Sequence, residues 1–195
     1  NSLINLELLK NLGIKVMTRT TAFGLYDNCV IGLLERVTDH VSNPDTKLPR
    51  QRFWTIRAKH IIVGSGALER HIAFNNNDIP GVMTVNASKH YLNRYGVLTG
   101  KNIVIATNND SVYETASQLS TAGASVTVLD SRTNIEIDID KNFEILKGVV
   151  PYNINGRKKI NSLDISKSEN IKKFQTLNCD QVLLSGGWSP AVHLL

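Results

Sequence analysis

The chain predicts an α/β fold built around parallel strands, and three observations predict it. Two short apolar runs, Lys101–Thr107 (KNIVIAT) and Ser125–Leu129 (SVTVL), have the continuous apolar character of strands buried on both faces of a parallel sheet. Between them lies a segment of helical period in which Val112, Ala116 and Leu119 share one face, ended by Gly123. Around this core, β-rich runs separated by Gly, Pro and Asn breaks add antiparallel hairpins. Strand, helix and strand across about 30 residues make a βαβ unit, whose crossover is right-handed.

The elements follow in order. The chain opens at Asn1 inside a helical pattern, with Leu3, Ile4, Leu8, Leu9 and Leu12 on one face and Gly13 as its stop. Ile14–Thr18 reads as a strand, and Thr20–Gly24 leads to a turn at Tyr26–Asn28. Val30–Val37 and Phe53–Ala58 read as strands joined by the polar segment Ser42–Leu48, either a hairpin or two arms of a three-stranded meander. Lys59–Val63 reads as a further strand, followed by a turn. Ser88–Tyr95 forms a short helix stopped by Gly96, and Ser111–Glu114 has the spacing of a capping box for the helix of the βαβ unit. Asp140–Leu146 reads as a short helix and Gly148–Tyr152 as a strand. Lys159–Ile165 pairs with Ile171–Leu177 as a hairpin, and Cys179–Ser185 is a last strand before Gly186-Gly187.

Composition narrows the class. At 195 residues the chain has room for one large or two small domains, and 42% hydrophobic residues suffice for a core. The net charge of +5 is spread along the chain, its densest cluster being the short Arg157-Lys158-Lys159, so a solvated surface accounts for it and no nucleic-acid partner is expected. No apolar run approaches the roughly 18 residues of a membrane span, and no signal peptide is expected. Cys29 and Cys179 lie far apart and form neither C-x-x-C nor a metal-ligand cluster, which argues for a reducing, cytoplasmic compartment. The five histidines show no ligand spacing. Beginning and ending among apolar residues, the chain reads as a piece of a longer polypeptide. As such it is expected to self-associate, or to be less ordered over 1–75 than over 85–170.

Ile61–Ala67 approaches a dinucleotide fingerprint without being one. A working fingerprint reads strand, G-x-G-x-x-G, then a helix whose N-terminus seats the pyrophosphate. Here Gly64 and Gly66 are followed by Glu69 where the third glycine belongs, and Phe74–Gly81 is a string of turn-formers rather than a helix. This reads as a strand that ends in a small-residue turn and leaves its domain. The βαβ unit likewise places Asp130 where a carboxylate would bond a ribose, but Thr107-Asn108-Asn109-Asp110 replaces the glycine loop, Asp110 repels phosphate, and Arg132 alone is weak compensation. This second site reads as an empty relic. The small-residue turns Gly64-Ser65-Gly66-Ala67 and Gly186-Gly187, each after a buried strand, allow close main-chain approach by a cofactor or simply reverse the chain.

VGSGALERHIAFNNNDIPGVM, HYLNRYGV, ATNNDSVYETA and SGGWSPAVHLL, with the turn TRTTAFGLYDN, resemble the α-subunit family of heterotetrameric sarcosine oxidases. That family lies within the two-dinucleotide-binding flavoproteins, which include thioredoxin and glutathione reductases. The resemblance covers almost the whole chain. It implies a Rossmann-like two-dinucleotide-binding fold: a partial first domain with a β-meander (1–75), an inserted second βαβ domain (76–175), and a return strand to the first domain (176–195). It implies a parent that oxidatively demethylates sarcosine, with a flavin on the β subunit, FMN at the α/β interface, peroxide formed, and the one-carbon unit passed to tetrahydrofolate. It also implies NAD in the first domain, held near Thr21-Ala22 and the turn Gly64-Ser65-Gly66-Ala67, with Gly186 and Gly187 alongside. FAD, FMN and tetrahydrofolate then belong to the parent complex rather than to this segment, as does the catalytic amine site, and the partners are the other subunits of a hetero-oligomeric amine oxidase. Glu69 and Arg70 are expected to form an ion pair or interdomain contact. Opine, proline and cyanide-forming glycine dehydrogenases share the GALER-type turn and remain alternatives, as does a non-catalytic assembly module. Disulfide reductase activity is excluded, because the second domain lacks the redox C-x-x-C.

Overall fold

A computed structural model describes residues 2–136 and 142–193. It divides into two compact units, Asn1–Gly66 with Ala191–Leu195, and Ala67–Pro190.

The first unit begins with helix α1 (Ser2–Asn11), closed by Leu12 N–H to Leu8 O and by Gly13 at φ 71°. Its sheet is an antiparallel meander of β1 (Thr20–Tyr26), β2 (Val30–Arg36) and β3 (Gln51–Arg57). The three-stranded alternative is therefore the one realised. Thr20–Gly24, read as a lead into a turn, is part of strand β1, whose register shifts between Ala22 and Gly24 and so sets Phe23 as a bulge. The Phe23 ring lies on Gly32, where a Cβ would come within 2.6 Å of it. Ile14–Thr18 and Lys59–Val63, both expected as strands, pair with no strand among the described residues. Their apolar composition is strand-like, but a strand exists only through a ladder partner. Ile14, Val16, Ile62 and Val63 are exposed.

The second unit opens with the short β4 (Ala67–Glu69) and β5 (Val82–Thr84), then α2 (Val85–Tyr95), capped by Thr84 and stopped by Gly96 in the left-handed region. The βαβ unit follows as β6 (Asn102–Thr107), α3 (Tyr113–Thr121) and β7 (Ser125–Asp130). Next come β8 (Glu144–Lys147), β9 (Val149–Gly156), β10 (Ile160–Lys167), β11 (Asn170–Asn178), β12 (Gln181–Ser185) and β13 (Trp188–Pro190). The helix expected at Asp140–Leu146 is corrected: Glu144–Lys147 is a strand pairing in parallel with β7, a long-range ladder that outweighs an ambiguous local pattern. Asp140 and Lys141 lie outside the described residues.

Five strands form one parallel sheet in the order β5-β12-β6-β7-β8. Gln181–Ser185, expected to return to the first domain, instead lies between β5 and β6 of this sheet, where its five residues are all buried. Alternation along β6 assigns the two faces. Ile103 and Ile105 pack with Val112, Ala116 and Leu119 on the helical side. Val104 and Ala106 pack with Ile154, Leu163 and Ile165 of the antiparallel sheet β11-β10-β9 on the other. The result is three layers over two apolar clusters. The parallel strands expose their C-terminal ends to one edge, which is where ligands bind in such sheets.

Candidate functional site

At the C-terminal ends of β6, β7 and β12, the edge where parallel sheets of this kind take ligands, the chain's own side chains bond to one another. Asp130, fully buried at the end of β7, accepts from Arg132 Nε at 3.0 Å and from the Arg132 amide at 2.9 Å on Oδ1. Its Oδ2 accepts from Arg132 Nη2 at 2.8 Å and from Tyr113 Oη at 2.5 Å. Arg132 Nη2 also donates to Asp110 Oδ1 at 2.6 Å. Burial alone would raise the Asp130 pKa, but the bonds from Arg132 and Tyr113 together with the guanidinium charge hold it below the ordinary carboxylate value. Burial, followed by the Asp130 carboxylate, pushes the Tyr113 phenol well above its ordinary value. The Arg132 guanidinium is held still more firmly protonated, chiefly by Asp130. A carboxylate so satisfied has no lone pair left for a ribose hydroxyl, and the guanidinium charge is already matched by two carboxylates.

The loop before α3 is closed in the same way. Asn109 Nδ2 donates to Ser185 O at 3.2 Å across the ends of β6 and β12, while its Oδ1 accepts from Ser111 N at 3.2 Å and Ser111 Oγ at 2.6 Å. The expected capping box at Ser111–Glu114 is thus corrected. Asn109 caps the turn Asp110–Val112 that leads into α3, and the Ser111 hydroxyl is taken by Asn109 and by Trp188 Nε1 at 3.0 Å. Sequence reasoning raised Asp110, Asp130 and Arg132 but missed Tyr113. The available signal was a tyrosine entering a buried helical face, whose hydroxyl needs a buried acceptor.

The residues expected to hold a cofactor are divided between the units. In the first, Thr21 and Ala22 lie on β1, which among the described residues pairs only with β2, so its outer backbone groups are not used by the ladder. Gly64 and Gly66 have no atom within 4 Å of the place a Cβ would occupy, and Gly66 sits at φ 77°. Open glycine backbone leaves room for close approach by another group. Ser65 Oγ donates to Ala191 O, and Ala191 N donates to Gly66 O at 3.0 Å, fixing this turn. No hydrogen bond among the described residues joins Thr21 or Ala22 to it.

In the second unit, Ala67 lies on β4, which pairs with β13. Gly186 is pressed against the main chain of Arg70 and His71, where a Cβ would meet carbonyl oxygens at 3.2–3.3 Å, and Gly187 sits at φ 100° with open space. Glu69 and Arg70 do not pair with one another. Glu69 Oε2 accepts from Asn86 N at 2.7 Å, at the start of α2, and Arg70 Nε donates to Ser189 Oγ at 2.6 Å. Among the described residues there is no cluster of metal-ligand type and no helix long and apolar enough to cross a membrane.

No protein-family model matches the sequence. The chain is 37% identical over 189 residues, 96% of its length, to the sarcosine oxidase subunit alpha of Rhizobium meliloti. It is 36% identical over 188 residues to that of Corynebacterium sp. strain U-96. It spans about a fifth of the length of these relatives. Among solved structures, Lactococcus lactis thioredoxin reductase superposes with a TM-score of 0.62 at 17% identity, covering 96% of this chain and 59% of that one. L-proline dehydrogenase of P. horikoshii superposes with a TM-score of 0.56 at 17% identity, covering 95% of this chain and 32% of that one. The fold is thus that of the two-dinucleotide-binding flavoproteins. Across the segment it spans, the chain is similar to the sarcosine oxidase α-subunit sequences.

Proposed function

We propose that this chain is the nucleotide-domain segment of the α subunit of a cytoplasmic, flavin-dependent amine oxidoreductase that demethylates sarcosine oxidatively, forms peroxide and passes the one-carbon unit to tetrahydrofolate. The observation that carries the reading is the identity to sarcosine oxidase α subunits along nearly the whole segment. The closed second site supports a local role in holding the fold and one cofactor rather than in relaying hydride through a second nucleotide. Flavin and folate chemistry then belong to the parent complex, and the partners are its other subunits rather than nucleic acid.

The first unit is the proposed home of NAD. Gly64, Ser65 and Gly66 would admit its adenosine and pyrophosphate end, with the edge backbone of Thr21 and Ala22 toward the adenine. Bound NAD supplies a nicotinamide able to accept hydride; this chain's residues bind and orient, and none is assigned a proton-transfer step. The test is activity of the full-length α subunit assembled with its partner subunits on sarcosine, proline, glycine and opines. Sarcosine oxidation at least tenfold faster than the rest is expected; preference for proline or an opine contradicts the assignment, and no activity on any amine favours an assembly module.

A further inference from the structure

We propose that a small cavity walled by β4, α2, α3 and β13 binds a primary or secondary alkylammonium ion, held by Glu69 and Thr115 with its alkyl part on Val85 and Trp188. The cavity encloses about 310 Å³ and lies wholly within the second unit. That is the small end of the roughly 300–1,000 Å³ usual for ligand sites. Most of the polar groups on its wall are spent on one another. Glu114 accepts from Lys89 Nζ at 3.2 Å on one oxygen and from Gln118 Nε2 at 3.1 Å on the other. The Ser111 hydroxyl is taken by Asn109 and by Trp188 Nε1, so the indole offers the cavity only carbon.

Two groups are left over. Glu69 Oε2 accepts from Asn86 N at 2.7 Å, while Oε1 has no partner among the described residues. Thr115 is 2% exposed, yet its hydroxyl bonds to no group among the described residues and is not sealed from the cavity that it lines. A helical threonine can satisfy that hydroxyl on the carbonyl one turn back, and this one does not. A buried hydroxyl left open costs free energy that a ligand's N–H recovers.

Charge selects the ligand. Two carboxylates and one lysine line the cavity, and Lys89 is matched by Glu114, so the unmatched charge is the negative one at Glu69. An anion is disfavoured there. A metal ion is disfavoured as well, because no three side chains of ligand type cluster among the described residues. An alkylammonium ion meets each unspent group: its N–H groups donate to Glu69 Oε1 and Thr115 Oγ1, its charge favours the neighbouring indole, and its carbon chain covers Val85.

The test titrates n-butylammonium chloride into the full-length polypeptide carrying Trp188→5-fluorotryptophan and follows the fluorine resonance by NMR. The inference expects a saturable shift with a midpoint in the low millimolar range, weakened about fivefold or more in Glu69→Gln and in Thr115→Val, and none with n-butanol or butyrate. Both replacements conserve volume, and the glutamine carbonyl can still accept from Asn86 N, so the fold is kept. An absent shift, or one that n-butanol or butyrate reproduces, overturns the inference. A shift that both replacements leave unaltered overturns the assigned site, and one that a single replacement leaves unaltered overturns the role given to that residue.

Discussion

Arg132 grips Asp130 at both carboxylate oxygens, Nε to Oδ1 at 3.0 Å and Nη2 to Oδ2 at 2.8 Å, at the strand end where a nucleotide fold presents its ribose-binding carboxylate. The acid has become an internal fastener, tying β7 to Tyr113 at the start of α3. A bidentate guanidinium pair of this kind is strong, and breaking it from one side leaves a buried charge without its counter-ion.

Arg132→Ala is therefore expected to destabilise the second unit by about 2–4 kcal/mol, read from the urea midpoint. The arginine is about one-third exposed, so water recovers part of the loss. Arg157→Ala, on an exposed hairpin end, is expected to stay within about 0.5 kcal/mol of the parent.

The same cluster sets an acid limit. The folded-state pKa of Asp130 is depressed, so the unfolded chain takes up the proton first. The contribution is full above the unfolded value near 3.9 and is lost as pH falls through the folded one. Denaturation against pH should show this loss only below about pH 4, and Asp130→Asn should flatten it. A decline already present between about pH 7 and 5 that Asp130→Asn removes would contradict the assignment.

The two thiols should separate cleanly. Cys179 is buried, and its pKa is pushed up to about 12 by burial and by the neighbouring Asp180 charge; Cys29 is exposed. Iodoacetamide near neutral pH is expected to alkylate Cys29 in the native chain and Cys179 only after unfolding, as read by intact mass.

Protection against hydrogen exchange is expected to be uneven. Both apolar clusters, including Ile105, Leu129, Leu163 and Leu183, lie in the second unit, whereas the first exposes Phe23, Phe53 and Ile62. Amides of β6, β7 and β12 should exchange only through global opening, and those of β1–β3 through cheaper local opening. Equal protection in the two units would contradict this.

The βαβ unit was legible because continuous apolar runs and a glycine stop are local signals, and β6, α3 and β7 stand where they point. Which sheet a strand joins is not local. Gln181–Ser185 carries the composition of a buried strand, but its place between β5 and β6 is set by pairing with residues about 80 and 100 positions away. Ile14–Thr18 and Lys59–Val63 show the converse, strand composition without a ladder partner among the described residues. At the second site, the missing glycines and the charge at Asp110 were visible in sequence. The lock formed by Tyr113 with Asp130 was not, since it depends on a helix and a strand end meeting in space.

The most direct measurement is the nucleotide released from the full-length α subunit purified without added cofactor, identified and counted by mass spectrometry. One NAD per chain is predicted, lost in Gly64→Val, where a side chain enters open space and leaves the fold intact. Two nucleotides per chain, none, or one that Gly64→Val does not displace would contradict a single nucleotide held at the first unit's glycine turn.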